Sequence, residues 1–210
     1  MPSDYISEKI KELFDNFSNP LVEELLELGT IVNIENNAYV LLEGETCTNI
    51  PLIVEGTLKV IKEDESGKEF VLYRVKPGES CIMSITSNIL DKPSEASVVS
   101  ETPVSVLMIP LKASEVLGNT FPEWQKFVFQ SVNDRYFGLI QKAANITFKS
   151  LSERLLEFIK EQSKDGELVI THENLAQELG SVREVVSRLL KNHEKLGNLE
   201  LHRGRIKLCI

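Results

Sequence analysis

Between Thr30 and Ile109 the chain is a succession of short runs rich in β-branched residues: "TIVNI", "AYVLL", "IPLIV", "TLKVIKE", "EFVLYRV", "EASVV" and "VSVLMI". Gly44, Gly56, Gly67 and Gly78 divide them at intervals of 11 or 12 residues. Runs of that length and spacing, closed by turn residues, fold into a compact antiparallel sandwich or roll. Ser66 and Gly67 in "EDESGKEF" supply the positive φ of a hairpin turn. The stretch "PGESCIMSITSNILDKPSEASV", Pro77 to Val98, reads as a proline-punctuated loop between two strands. It is open to three readings: a small-molecule pocket, a reactive thiol site, or a wall of the sheet core.

On both sides of this region the period is helical. "YISEKIKELFDNF" and "PLVEELLELG" predict two short helices over residues 5 to 28, with Pro20 opening the second and Gly29 ending it. After Gly118 a long helix is expected, Phe121 to Ile146. In it Phe129, Val132, Tyr136, Leu139, Ala143 and Ile146 recur at steps of 3, 4, 3, 4 and 3, a heptad-like stripe. Such a stripe can lie against its own β-domain or pair with its copy in a dimer, and a helix that connects two domains favours the dimer. "SLSERLLEFIKEQ" follows, with Ser150 and Glu153 spaced as a capping box. Then come "ELVI", "THENLAQELG", "SVREVVSRLLKNHEKLG" and "NLELHRGRIKLCI", whose "HRGR" forms a hairpin tip. Helix, helix, glycine-containing turn, helix and hairpin is the layout of a winged helix-turn-helix.

The expected fold class is therefore α+β: an N-terminal antiparallel, jelly-roll-like β-roll with flanking helices over 1–118, a connecting dimerisation helix over 119–147, and a winged helix-turn-helix over 148–210. A chain of 210 residues with 42% apolar and 26% charged residues is long enough for two such cores. It has no apolar run of about 18 residues, and "MPSDYISEKIKELF" mixes charges where a signal peptide is apolar, so no membrane partner and a cytoplasmic location are expected. Cys47, Cys81 and Cys209 form no CxxC pair and are too few for a tetracysteine site, which predicts reduced thiols, no metal and no cofactor.

A net charge of -9 argues against nucleic acid until its distribution is considered. Residues 1–145 hold 12 Lys and Arg against 22 Asp and Glu, whereas from Ser181 onward there are seven basic residues against three acidic ones. A basic tail on an acidic body fits phosphate contacts. From Ser181 to Leu196, Val182, Val186, Leu189, His193 and Leu196 form one stripe with Leu190 beside it. Arg183, Glu184, Ser187, Arg188 and Lys191 occupy the opposite face. In isolation that face is simply solvated, but "ITHENLAQELGS" supplies the preceding helix, with Ala176 at a close approach and Gly180 at the turn. Arginine donates in a fork to guanine O6 and N7, and glutamate accepts from cytosine N4. Lys191, Arg203 and Arg205 suit phosphates.

"ITHENLAQELGSVREVVSRLLKNHEKLGNLELHRGRIKL" resembles the DNA-binding domain of the CRP/FNR family of bacterial transcription regulators. "IPLIVEGTLKVIKEDESGKEFVLYRVKPGES" resembles that family's cyclic-nucleotide-binding-type β-roll, and the resemblance covers nearly the whole chain. It implies that Arg183, Glu184, Ser187 and Arg188 read bases, with Thr171, His172, Lys191, Arg203 and Arg205 on phosphates. It also implies double-stranded DNA as partner, a homodimer on two inverted half-sites with a TGA-like core, and contact with RNA polymerase. Both the catabolite-activator pattern (Arg183, Glu184, Arg188) and the fumarate/nitrate-regulator pattern (Glu184, Ser187, Arg188) are met. Val182 stands where the family usually has a Ser or Thr cap; Ser181 with Glu184 offers a capping box one residue earlier.

The effector position departs further. Relatives that bind cyclic nucleotides hold ribose and phosphate with a glycine–glutamate pair and an arginine–serine pair. Alignment puts Ile82 and Met83 at the first pair and Ser94 and Glu95 at the second. Glu95 would repel a phosphate, and only Lys92 is basic between Glu79 and Leu111, so binding of cyclic AMP or cyclic GMP is not expected. The family's haem sensors need a histidine in the β-domain, whereas His172, His193 and His202 all lie in the DNA-binding part. Cys81, Met83, Ser94 and Glu95 remain the candidate effector pocket, with no effector identified. Cys81 is either a small buried hydrophobe or a redox-sensing thiol with Cys47 as resolving partner, which a sensor acting through protein contact would also use. An enzyme is not expected: Cys81 has no histidine in its domain, and no phosphate loop or paired carboxylates appear.

Overall fold

The computed structural model describes residues 2–65, 67, 69–90 and 92–209, with no side chain described at 2–4 or 87–90. The chain divides into two compact units, Met1–Lys62 with Leu72–Gly138, and Glu63–Val71 with Leu139–Ile210. The first is built from α1 (Pro2–Leu13), α2 (Asn19–Leu28), β1 (Thr30–Ile34), β2 (Tyr39–Leu41), β3 (Asn49–Glu55), β4 (Leu58–Glu63), β5 (Glu69–Val75), α3 (Ile82–Leu90), β6 (Ser97–Ser100), β7 (Val104–Pro110), α4 (Leu111–Thr120) and the start of α5 (Pro122–Phe148). The second holds the last residue of β4, the start of β5 up to Val71 and the end of α5, then α6 (Leu151–Gln162), β8 (Glu167–Val169), α7 (His172–Leu179), α8 (Arg183–Lys195), β9 (Leu199–His202) and β10 (Arg205–Leu208). The chain is α+β, with every strand foreseen in the roll present.

Two antiparallel sheets form the roll, in the orders β1-β7-β3 and β2-β6-β4-β5. Side chains alternate across a strand, and in β3 the alternation separates two cores. Ile50, Leu52 and Val54 face a helical layer made by Ile6, Ile10, Phe14, Leu21, Leu25, Leu117 and Trp124. Ile53 faces the space between the sheets, with Leu58, Val60, Val98 and Val106. Strand β7 divides in the same way, Leu107 and Ile109 outward and Val106 and Met108 inward. This explains why "IPLIV" and "VSVLMI" are almost continuously apolar: their sheet is covered on both faces.

Three expectations need correction. The stretch read as a loop contains helix α3, with Ile82 and the fully buried Ile85 one turn apart on its packed side and Thr86 Oγ1 donating to the Ile82 carbonyl at 2.8 Å. The flanking Pro77–Gly78 and Lys92–Pro93 punctuate the ends of this helix rather than a loop, and Asp91 between them lies outside the described residues. Helical structure also resumes at Leu111, before Gly118, with Gly118 inside α4 and the break at Phe121. The N-terminal helix runs from Pro2 to Leu13 rather than from residue 5 to 17. In the hairpin turn Gly67 has φ 79° and donates to the Asp64 carbonyl at 2.9 Å, while Ser66 lies outside the described residues.

One ion pair in this unit gives a pH dependence. Arg74 grips Glu101 in a fork, Nε to Oε2 and Nη2 to Oε1, each 2.7 Å. Those hydrogen bonds hold the Glu101 carboxyl below the usual carboxylate range, against the opposing effect of partial burial. A depressed folded-state pKa adds stability that is present above the unfolded value, about 4.3, and is lost as pH falls through the folded value. The melting temperature of Glu101→Gln is therefore expected to fall less steeply than that of the wild type between about pH 5 and pH 3. Parallel acid limbs would show that the pair contributes nothing.

Candidate nucleic-acid interface and effector cavity

The second unit presents the helix-turn-helix. Thr171 caps α7, its Oγ1 accepting the Asn174 N–H at 3.1 Å. Gly180 ends α7 with φ 64°, a left-handed conformation that favours glycine, and the next N–H, of Ser181, donates back to the Ala176 carbonyl at 2.9 Å. That turn fixes where α8 can begin. Val182, extended at φ -110° and ψ 149°, is the N-cap and makes no side-chain bond, so the Ser181–Glu184 capping box foreseen from sequence does not form.

Helix α8 buries Val186, Leu190 and His193 against Leu155 and Ile159 of α6, Leu175, Ala176 and Leu179 of α7, and Leu199 and Ile206 of the wing. Val182 and Leu196, expected in the seam, are exposed because the start of α8 sets its phase by the turn. His193 is held from both sides, Nε2 2.8 Å from Ser152 Oγ and Nδ1 3.1 Å from Asn198 Nδ2. An amide N–H on Nδ1 puts the ring proton on Nε2, which donates to Ser152.

Opposite the buried side, Arg183, Glu184, Arg188 and Lys191 are exposed and form no ion pair among the described residues. Ser187, between them, is half-buried, and its Oγ lies 2.8 Å from Nδ1 of His172, the first residue of α7. Partial burial, then the charges of Arg183 and Lys191, hold His172 below the usual histidine range. No sequence signal pointed to this pair, since the two residues are 15 positions apart on different helices. In the wing, Arg203 carries no ion pair among the described residues, whereas Arg205 Nη1 meets Glu167 Oε2 at 3.1 Å, and Lys207 meets Glu200 at 3.5 Å.

Along α5, Phe129 (74% exposed), Tyr136, Phe137, Ile140 and Phe148 (83%) leave apolar surface open. Leu139 and Ala143 are also exposed. Val132 departs from the expected stripe: it packs on the helical layer with Trp124, Phe127 and Val128. The open face follows Phe129, Tyr136, Ile140 and Ala143, while Val132 is covered because it lies alongside the helical layer of the β-domain.

Between the sheets of the roll lies a cavity of about 450 Å³, walled by Val40, Leu41, Leu58, Val98 and Met108, with Thr46, Cys47, Thr48, Asn49, Cys81 and Ser84 among its polar and thiol groups. Glu45 is the only charged residue on the wall among the described residues. Cys81 lines this wall, and so does "TCTN", Thr46 to Asn49 at the entry to β3, which the sequence did not single out. Met83, Ser94 and Glu95 do not line the cavity. Ser94 Oγ is turned onto the Ala96 carbonyl at 2.6 Å, Glu95 is exposed, and Met83 packs in the inter-sheet core while its carbonyl meets Cys47 Sγ at 3.8 Å. Cys81 is 1% exposed, and burial pushes its thiol up, away from the thiolate that redox chemistry needs.

Among the described residues, no group of three or more His, Cys, Asp or Glu could hold a metal ion, and no helix is long and apolar enough to cross a membrane. Residues 31–119 match the cyclic nucleotide-binding domain family and residues 151–209 the Crp-like helix-turn-helix domain family. The global nitrogen regulator of Synechococcus elongatus is 23% identical over 206 residues, covering 90% of this chain and 92% of that protein. The cAMP-activated global transcriptional regulator CRP of Salmonella typhimurium is 24% identical, covering 88% and 92%. A crystal structure of a crp/fnr-family protein from Eubacterium rectale superposes with a TM-score of 0.81 at 22% identity over 94% of this chain and 93% of that one. A nucleotide-binding-type roll followed by a Crp-like helix-turn-helix, matched end to end by such relatives, places this chain in the CRP/FNR family of bacterial transcription regulators.

Proposed function

We propose that the protein is a sequence-specific transcription regulator that binds an inverted-repeat DNA site as a homodimer. The observation that carries this reading is the α8 face, where two guanidiniums, a carboxylate and an ammonium stand exposed, with no ion pair among the described residues, opposite the side that buries Val186, Leu190 and His193. Arg183, Glu184, Ser187 and Arg188 serve the bases, and Thr171, His172, Lys191, Arg203 and Arg205 the phosphates, with Arg205 sharing its charge with Glu167. The apolar face of α5 from Phe129 to Phe148, about 30 Å long at 1.5 Å per residue, pairs the two protomers. Two recognition helices then meet half-sites about one helical turn, ~34 Å, apart. In functional terms residues 1–118 sense, 119–147 dimerise and 148–210 bind DNA; the site of action is the cytoplasm, with RNA polymerase as the further partner.

Among the described residues the cavity in the roll supplies no cation for a cyclic phosphate, and a phosphate taken from water needs one. The effector, if it occupies this cavity, is therefore neither cyclic AMP nor cyclic GMP, and burial of Cys81 weighs against thiol-based sensing. Selection of binding sites from random DNA, with light scattering of the complex, tests the reading. A palindromic site bound by two protomers is expected, with an unchanged site and melting temperature in 1 mM cyclic AMP, on the order of saturating for a tight site. Recovery of no palindrome sinks the DNA-binding reading, and a cyclic-AMP-dependent site sinks the effector reading.

A further inference from the structure

We infer that His172 is a positioning residue for Ser187: through the 2.8 Å hydrogen bond between its Nδ1 and Ser187 Oγ, it decides whether that hydroxyl meets DNA as an acceptor or as a donor. This rests on the DNA-binding reading above.

A serine hydroxyl has one proton and two lone pairs. When the imidazole is neutral with its proton on Nε2, Nδ1 accepts the Ser187 O–H. The proton is then consumed, and Oγ can only accept from a base, which matches the exocyclic amines of cytosine and adenine in the major groove. When the ring is protonated, Nδ1–H donates to Oγ. The hydroxyl proton is released and can be given to guanine O6 or N7, or to thymine O4. One proton on a residue that touches no base thus inverts the preference of one that does.

The surroundings support a neutral resting ring. His172 is half-buried at the start of α7. The charged groups that bear on it are Arg183 and Lys191 from α8, both positive, and no carboxylate from α7, α8 or the wing offsets them among the described residues. Nε2 has no hydrogen-bond partner among the described residues, so a DNA phosphate reaching the start of α7 can accept from it. That contact fixes Nδ1 as the acceptor at neutral pH. It also favours the imidazolium as pH falls, so acid promotes the donor state of Ser187 in the complex rather than in the free protein.

The test is binding-site selection with the full chain at about pH 8 and about pH 5.5, on either side of histidine titration. One symmetric pair of columns is expected to change its base composition about threefold or more between the two conditions, the scale of one neutral hydrogen bond. The columns read by Arg183 and Arg188 should hold. Ser187→Ala should remove both the preference and the shift at those columns. His172→Gln, which cannot titrate, should keep a preference that no longer depends on pH. A motif with every column equal at both pH values, or a shift that survives in His172→Gln, overturns the inference and leaves DNA binding standing. Recovery of no motif at either pH overturns both.

Discussion

Replacement of Arg188 by alanine is expected to lower affinity for the selected palindrome by about 30-fold or more, with little change for unrelated DNA. A bidentate arginine–guanine pair discriminates by roughly 1–3 kcal/mol, and a homodimer makes the contact twice, so about 2–6 kcal/mol is at stake. The side chain is exposed and makes no ion pair among the described residues, so the fold should tolerate its loss. Lys191→Ala is the informative contrast. A phosphate contact weakens all sequences alike and lowers the salt slope by about one per site. Fluorescence anisotropy at several salt concentrations separates the two, and an Arg188→Ala protein that still prefers the palindrome by the wild-type margin would falsify the base-reading role.

The second large effect concerns stability. Gly56, at the turn after β3, has φ 81°, and a Cβ there would lie 2.1 Å from the Pro103 carbonyl oxygen and 2.9 Å from Val104 Cα. No rotamer relieves an overlap with backbone, so the turn must separate from the start of β7, which β3 pairs along most of its length. Gly56→Ala is expected to cost about 3 kcal/mol or more, a melting-temperature drop of about 6–12 °C for a chain of this size. Gly44 supplies the control: its φ is 85°, yet nothing lies within 4 Å of the added Cβ. Gly44→Ala should cost only the conformational term, about 1 kcal/mol. Equal melting temperatures for the two variants would mean that the close approach at Pro103 is without energetic weight.

The roll was readable because β-branched runs with glycine breaks have few other solutions, and the helix-turn-helix because Gly180 and the two-faced α8 leave a strong local pattern. What sequence could not show depends on contacts far apart along the chain. Helix α3 was hidden by the prolines on either side of it. The phase of α8 followed from the Ser181–Ala176 turn bond rather than from a capping preference. Val132 fitted a heptad as well as Phe129 did, and only the position of the helical layer distinguishes them. The cavity differed most: alignment nominated Met83, Ser94 and Glu95, but a hydroxyl satisfied within its own turn and a carboxylate in solvent cannot face inward. The residues that do face it, Cys47 and its neighbours, come from a polar segment with no motif of its own.

The double covering of β3 and β7 has a mechanical consequence. Their sheet is a partition with the cavity on one side and the root of α5 on the other. Pro51 and Met108 look into the cavity, while the adjacent Leu52, Leu107 and Ile109 press on the layer that contains Trp124. Close-packed interiors transmit displacement with little compression. An occupant that pushes the partition outward therefore delivers its stroke to the first turn of α5, one residue of strand away from where it binds.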